Sequence, residues 1–125
     1  MRLSWALGSP TSLPAPLVFE RVLLEYDGPL VALFRCGEFR WIGEAADDVN
    51  DAVRWVLAPI GTSDEPALAQ VEVGRTPLRD LFEVPYFLVV DYVDEEPTRI
   101  WVVKREDIPE ETLPLAEARL GCWPR

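Results

Sequence analysis

The chain has 125 residues, the length of one domain, and its 22 acidic and 12 basic residues give a net charge of −10. It contains no histidine, which excludes Ser-His-Asp and Cys-His catalysis and histidine-ligated metals. The basic residues are scattered singly except for Lys104 and Arg105. We therefore expect no nucleic-acid partner and no binding to an anionic membrane.

Three closely spaced prolines predict that residues 1–16 form an extended arm. Residues 17–120 are predicted to form a single domain, and residues 121–125 a tail. Trp5 in the arm and Trp123 in the tail are hard to place in a core. We expect them to dock on the domain or to act as interface anchors.

Four strands are predicted in the first half of the chain. Apolar and polar residues alternate in the first of them, and the second is almost continuously apolar, which is typical of half-buried and fully buried strands. A turn signal, Asp-Gly-Pro at residues 27–29, separates these two. An acidic loop is expected at residues 44–51. The four predicted strands are residues 20–26, 30–36, 39–44 and 52–58.

Two short helices and two further strands follow. Ser63 or Asp64 can cap the first helix, and Gly74 can end it. Thr76 and Pro77 read as the start of the second helix. The predicted helices are residues 64–73 and 77–83, and the predicted strands are residues 86–92 and 99–105.

Most connections are too short for parallel crossovers. The predicted fold class is α+β: a mainly antiparallel sheet of about six strands, with two short helices inserted after the fourth strand and packed on one face. The predicted core comprises Val22, Leu24, Leu30, Ala32, Phe34, Trp41, Trp55, Leu57, Leu68, Val71, Leu78, Leu81, Phe82, Phe87, Val89, Ile100 and Val102.

Acidic residues form three clusters, around residues 47–51, 91–96 and 106–111. Each cluster falls where a solvated turn is expected, and none has the spacing of a calcium-binding loop, so no metal or other cofactor is predicted. Asp80 is interpreted as a helix-surface residue and Asp91 as an outward or edge residue. The alternative places Asp80, Asp91 and Asp94 in a hydrolytic cleft.

Two cysteines, Cys36 and Cys122, are unclustered. We expect reduced thiols in a cytoplasm, with Cys36 buried and inert. A disulfide between Cys36 and Cys122 stays open as an alternative.

The runs Tyr-Asp-Gly-Pro-Leu at residues 26–30 and Pro-Leu-Arg-Asp-Leu-Phe at residues 77–82 can be compared with known families. With the acidic Glu-Asp-Ile-Pro run that starts at Glu106, they resemble an uncharacterised family of small bacterial proteins, a domain of unknown function. The resemblance covers residues 19–120. It implies a bacterial, cytoplasmic, single-domain protein, and it carries over no catalytic residue.

The acidic surface, the five tryptophans and the lack of a catalytic motif favour a non-enzymatic protein-binding module of accessory, immunity or antitoxin-like type. A basic protein is the partner that charge favours, and a homodimer is an alternative. A small carboxylate- or divalent-metal-dependent hydrolase is the alternative function. No catalytic residue is assigned, and the candidate binding residues are Trp5, Trp123, Asp91, Asp94, Glu95 and Glu96.

Overall fold

The computed structural model describes residues 8–25 and 28–120. In that part of the chain seven strands form one antiparallel sheet, joined by one α-helix and four short 3-10 helices. The strands are β1 (Ser9–Pro10), β2 (Val18–Glu25), β3 (Pro29–Cys36), β4 (Phe39–Val49), β5 (Ala52–Ile60), β6 (Tyr86–Val93) and β7 (Glu96–Lys104). The α-helix is α1 (Glu65–Glu72), and the 3-10 helices are Thr62–Asp64, Leu78–Phe82, Arg105–Asp107 and Glu110–Thr112.

Strands β2 to β7 follow one another as neighbours in the sheet, and β1 pairs with the outer side of β7. The order is therefore β1-β7-β6-β5-β4-β3-β2. Because β1 and β2 lie at opposite edges, the segment of residues 11–17 that joins them crosses one face of the sheet. Leu13, Ala15 and Leu17 of this crossing segment pack on that face.

Each face of the sheet carries its own core. The helix-side core is covered by α1 and the C-terminal 3-10 segments, and the crossing-side core lies under the crossing segment. The helix-side core includes Val31, Leu33, Ile42, Val56, Leu68, Val71, Leu78, Leu81, Phe82, Phe87, Val89, Trp101, Val103, Ile108, Leu113 and Leu120. The crossing-side core consists of Leu17, Ala32, Phe34, Cys36, Trp55, Leu57, Leu88, Val90 and Tyr92.

The sheet curls over its crossing side. Four strand spacings separate β2 from β6, so their side chains would be roughly 19 Å apart in a flat sheet. The rings of Phe19 on β2 and Tyr92 on β6 are nevertheless only 5.3 Å apart between centroids. The start of β2 therefore folds back over the start of β5 and the end of β6, and an open cleft remains at this corner.

The predicted fold class was wrong. Within the described residues, seven strands and a single α-helix make this a mostly-β fold rather than an α+β fold with two helices. The first predicted helix is present as α1, and Gly74 follows it with φ 77°, as expected of the residue after a helix. The second is only the five-residue 3-10 helix Leu78–Phe82, which the extended residue Pro77 precedes and the non-helical residue Glu83 follows. The seventh strand is the two-residue β1, which lies inside the predicted arm.

The six predicted strands exist, but β4 extends through the predicted acidic loop to Val49. The core prediction fails at Val22 and Val102, whose exposed fractions are 41% and 40%. Bulges shift the register of β2 between Phe19 and Arg21 and on either side of Leu24. In β7, Trp101 and Val103 rather than Val102 face the helix side. The helix-face prediction is confirmed, since Leu68 and Leu81 are buried.

Candidate functional site

A cleft of about 590 Å³ lies between the start of β2, the start of β5 and the end of β6. This volume is in the range of small-molecule and side-chain pockets. The lining is mainly apolar, with two carboxylates from the tip of the β6–β7 hairpin. The lining residues are Leu17, Val18, Phe19, Val22, Val53, Trp55, Tyr92, Asp94 and Glu95.

Three aromatic side chains form one wall of the cleft. The ring of Phe19 lies edge-on to Trp55 at 5.6 Å between centroids, and it tilts against Tyr92 at 5.3 Å. Phe34 supports them from the buried side, at 4.7 Å from Phe19 and 5.1 Å from Trp55. Such mutually packed rings form a firm apolar surface.

The hydroxyl of Tyr92 is the unusual polar group of this wall. Tyr92 is only 3% exposed, and its hydroxyl has no hydrogen-bond partner within residues 8–25 and 28–120. Burial raises the pKa of Tyr92 to about 12, so the phenol stays neutral and can both donate and accept. A buried hydroxyl without a partner costs stability, which makes it a group that a ligand can satisfy.

Two predicted binding residues, Asp94 and Glu95, lie at the rim of this cleft. They form the connection between β6 and β7, and Asp94 has a φ of 56°, a left-handed conformation that Asp tolerates better than most residues. Glu96 follows at the start of β7, in an adjoining depression with Thr98. The structure therefore brings two carboxylates next to the aromatic wall.

Asp91, by contrast, belongs to the opposite face. It lies directly across from Arg54 of β5 and accepts two hydrogen bonds from it, at 2.7 and 2.9 Å. The Arg54 guanidinium also lies 5.4 Å from the ring centre of Trp101, a residue of the helix-side core. The interpretation of Asp91 as an outward or edge residue was wrong, because Arg54 compensates its charge within the sheet.

The carboxylates of the hydrolase alternative are not assembled at the cleft. Asp80 is exposed on the 3-10 helix Leu78–Phe82, and Asp91 is held by Arg54. Only Asp94 lines the cleft. In the described part of the chain, no group of three or more acidic or cysteine residues is arranged to hold a metal ion.

Glu44 is a half-buried residue with a buried carboxyl oxygen, which the sequence interpretation missed. It lies on β4 between Val31 of β3 and Val56 of β5, and its Oε2 atom has no partner among the described residues. Burial raises the pKa of Glu44 to about 8. The predicted strand ended at this residue, whereas continuing its alternation from Ile42 would have placed Glu44 on the same buried face.

Of the remaining residues singled out from the sequence, only Cys36 lies within the described part of the chain. Cys36 is buried, as expected, and its Sγ donates a hydrogen bond to the carbonyl oxygen of Ala15 at 3.0 Å. Trp5, Trp123 and Cys122 lie outside the described residues. No helix of the described segments is long and apolar enough to cross a membrane.

The chain matches no family model, no curated protein and no solved structure in three comparisons. The resemblance to a family of small bacterial proteins therefore stays a prediction. What can be argued about function comes from the cleft itself.

Proposed function

We propose that this chain is a non-enzymatic binding protein for a basic partner protein, and that the cleft is where it holds that partner. The observation that carries the proposal is the combination of an aromatic wall and two rim carboxylates in one cavity. An apolar wall favours burial of an anchoring side chain, and the carboxylates favour a cationic group beside it.

The exposure of apolar residues supports the same site. Val18, Phe19, Val22 and Val53 all line the cleft, and each is a large hydrophobic side chain with substantial exposure. Clustered exposed apolar residues rimmed by polar ones mark interaction sites more often than scattered ones do. A partner side chain in this cleft would cover them.

The net charge of −10 favours a basic partner over a second copy of the chain. Two such molecules repel each other at long range, whereas a cationic protein is steered towards the acidic surface. We place the protein in the cytoplasm, in an accessory, immunity or antitoxin-like role that needs no cofactor. The hydrolase alternative has no support from the geometry, since Asp91 is committed to Arg54.

Capture of the partner from an extract of the native host tests the proposal when it is done with two matched variants. Val18→Asp places a charge in the cleft, where residue 18 is 50% exposed, and Val73→Asp makes the same change after α1, where residue 73 is 66% exposed. We expect the wild type and Val73→Asp to retain the same basic protein in stoichiometric amount, and Val18→Asp to lose it.

Purified partner is then titrated against each variant by calorimetry. Equal affinity of the two variants would remove the cleft from the binding surface. Recovery of only acidic or neutral partners would contradict the assignment of a basic one.

A further inference from the structure

We infer that the partner binds as an extended segment that pairs with the free edge of β2 and places a lysine or arginine side chain beside Asp94 and Glu95. This inference rests on the proposed function, and it specifies how the cleft is occupied. It draws on the position of β2 in the sheet and on the composition of the cleft.

The outer edge of β2 is free within the described residues. β2 ends the strand order, so only β3 pairs with it. No backbone hydrogen bond from the described loops or turns reaches residues 18–25. An edge strand of eight residues therefore presents unpaired N–H and C=O groups, which an incoming peptide strand can satisfy.

The same strand forms one wall of the cleft. Val18, Phe19 and Val22 of β2 all line it. A strand added to β2 would lie about 4.8 Å from it, with alternate side chains on the cleft side. A peptide bound at this edge therefore has side chains within reach of the cavity. A small molecule, by contrast, could occupy the cavity without pairing with β2.

The far side of the cleft suits a cationic side chain. The long aliphatic stem of lysine or arginine can pack on the apolar wall while its charged head reaches the carboxylates of Asp94 and Glu95. Phe19, Trp55 and Tyr92 add aromatic rings that attract a cation. The unpartnered hydroxyl of Tyr92 supplies a further acceptor for an N–H group.

Self-pairing of β2 with a second copy is disfavoured. Two chains of net charge −10 repel each other, whereas a basic segment is attracted to the same surface. The occupant is therefore a basic segment of a different protein.

A displayed library of random twelve-residue peptides tests this directly. Peptides are selected on the wild-type protein, and their affinities are then measured for two variants, each with two carboxylates neutralised. Asp94→Asn with Glu95→Gln removes the rim charges, and Glu106→Gln with Asp107→Asn makes the same change on the exposed 3-10 helix Arg105–Asp107. We expect selected peptides to combine apolar residues with lysine or arginine, and to bind the rim variant about tenfold more weakly than the control variant.

Backbone hydrogen exchange of the protein with a selected synthetic peptide tests the strand pairing. We expect the amides of residues 18–24 that face away from β3 to exchange at least about tenfold more slowly in the complex, while those of β7, on the far side of the sheet beside β1, are unchanged. A peptide that binds the cleft without protecting β2 would overturn strand addition but leave the proposed function standing.

Enrichment of neutral or acidic peptides, equal binding to both neutralised variants, or no enrichment at all would overturn the inference. Its failure is separate from that of the proposed function. A partner that is captured by Val73→Asp and lost by Val18→Asp would still bind through the cleft, by a folded surface instead of a strand.

Discussion

Two buried polar atoms have no partner among the described residues, the Oε2 atom of Glu44 and the hydroxyl of Tyr92. They lie on opposite faces of the sheet, and they differ in whether they ionise in the ordinary pH range. Glu44 can ionise in the ordinary pH range because burial brings its pKa to about 8, whereas the pKa of Tyr92 is raised to about 12. The first therefore affects stability through pH, and the second through a buried hydroxyl that has no hydrogen-bond partner among the described residues.

We predict that Glu44→Gln removes a pH dependence of stability. The carboxyl titrates near 4.5 when the chain is unfolded and at about 8 when it is folded. Between these values the folded state keeps a proton that the unfolded state has lost, so the free energy of unfolding falls as pH rises. The loss levels off above the folded pKa, where it amounts to at most about 5 kcal/mol.

Urea unfolding at a series of pH values measures this. The stability of Glu44→Gln relative to the wild type should rise across that interval, while Glu38→Gln, in the exposed β3–β4 turn, should follow the wild-type curve. Parallel curves for Glu44→Gln and the wild type would show that the folded protein does not hold this proton.

A second prediction concerns Tyr92→Phe. Because no described residue bonds the hydroxyl, its removal should leave the free energy of unfolding unchanged or raise it by about 1 kcal/mol. The affinity for the basic partner should fall at the same time. Tyr86→Phe, at an exposed position at the start of β6, is the control and should change neither quantity. Chemical unfolding and calorimetric titration are the measurements, and a destabilised Tyr92→Phe would reveal an internal partner for the hydroxyl.

Individual residues show which features of the candidate site could be predicted from the sequence. Asp94 and Glu95 could be selected because an acidic turn between two apolar strands is readable locally. Their position at an aromatic cleft was not readable, since it depends on Phe19 of β2 meeting Tyr92 of β6 across the curled sheet. The partner of Asp91 was equally hidden, because pairing Arg54 with Asp91 requires the register of β5 on β6.

At the scale of elements, those with local sequence signals could be predicted, whereas those that depend on pairing with a distant strand could not. The strands and α1 have periodic patterns and end signals such as Gly74, so their positions could be predicted. β1 has only two residues and exists because β7 offers an unpaired edge, so no local pattern indicates it. The 3-10 helix Leu78–Phe82 has the apolar spacing of an α-helix, but the extended residue Pro77 precedes it and the non-helical residue Glu83 follows it.

The docking of β1 on β7 gives a third prediction. A methyl group at Gly8 would overlap the carbonyl oxygen of Val102, so Gly8→Ala should push this segment away from β7. The hydrogen bond from the Thr11 amide to the Ile100 carbonyl oxygen, 3.0 Å long, lies next to it. We expect faster hydrogen exchange at Thr11 and a loss of about 1 kcal/mol in the free energy of unfolding.

Ser9→Ala, at the neighbouring exposed position, is the matched control for Gly8→Ala. It should keep both the exchange rate and the stability of the wild type. Unchanged protection of Thr11 in Gly8→Ala would mean that the close approach of Gly8 to β7 is not required for pairing.

At the scale of the whole molecule, the curl of the sheet and the net charge act together. The curl gathers residues of β2, β5, β6 and the β6–β7 connection into one cleft, and the charge of −10 surrounds it with a negative field. Composition alone indicated the sign of the field and the kind of partner it favours. The curl could not be inferred from composition, because it follows from bulges and ring contacts that appear only when the strands are paired.

The fourth prediction is that the acidic surface and the contacts in the cleft affect different rate constants of binding. Long-range attraction mainly sets the association rate, whereas contacts formed in the complex mainly set the dissociation rate. We expect the association rate with the basic partner to fall by about tenfold or more from low to high salt.

The contacts in the cleft should appear in the dissociation rate, which Asp94→Asn with Glu95→Gln should increase. Glu106→Gln with Asp107→Asn changes the net charge equally but leaves the cleft intact, so its dissociation rate should match the wild type. Stopped-flow measurements over a salt series decide between the two contributions, and an association rate that salt does not change would rule out electrostatic steering by the acidic surface.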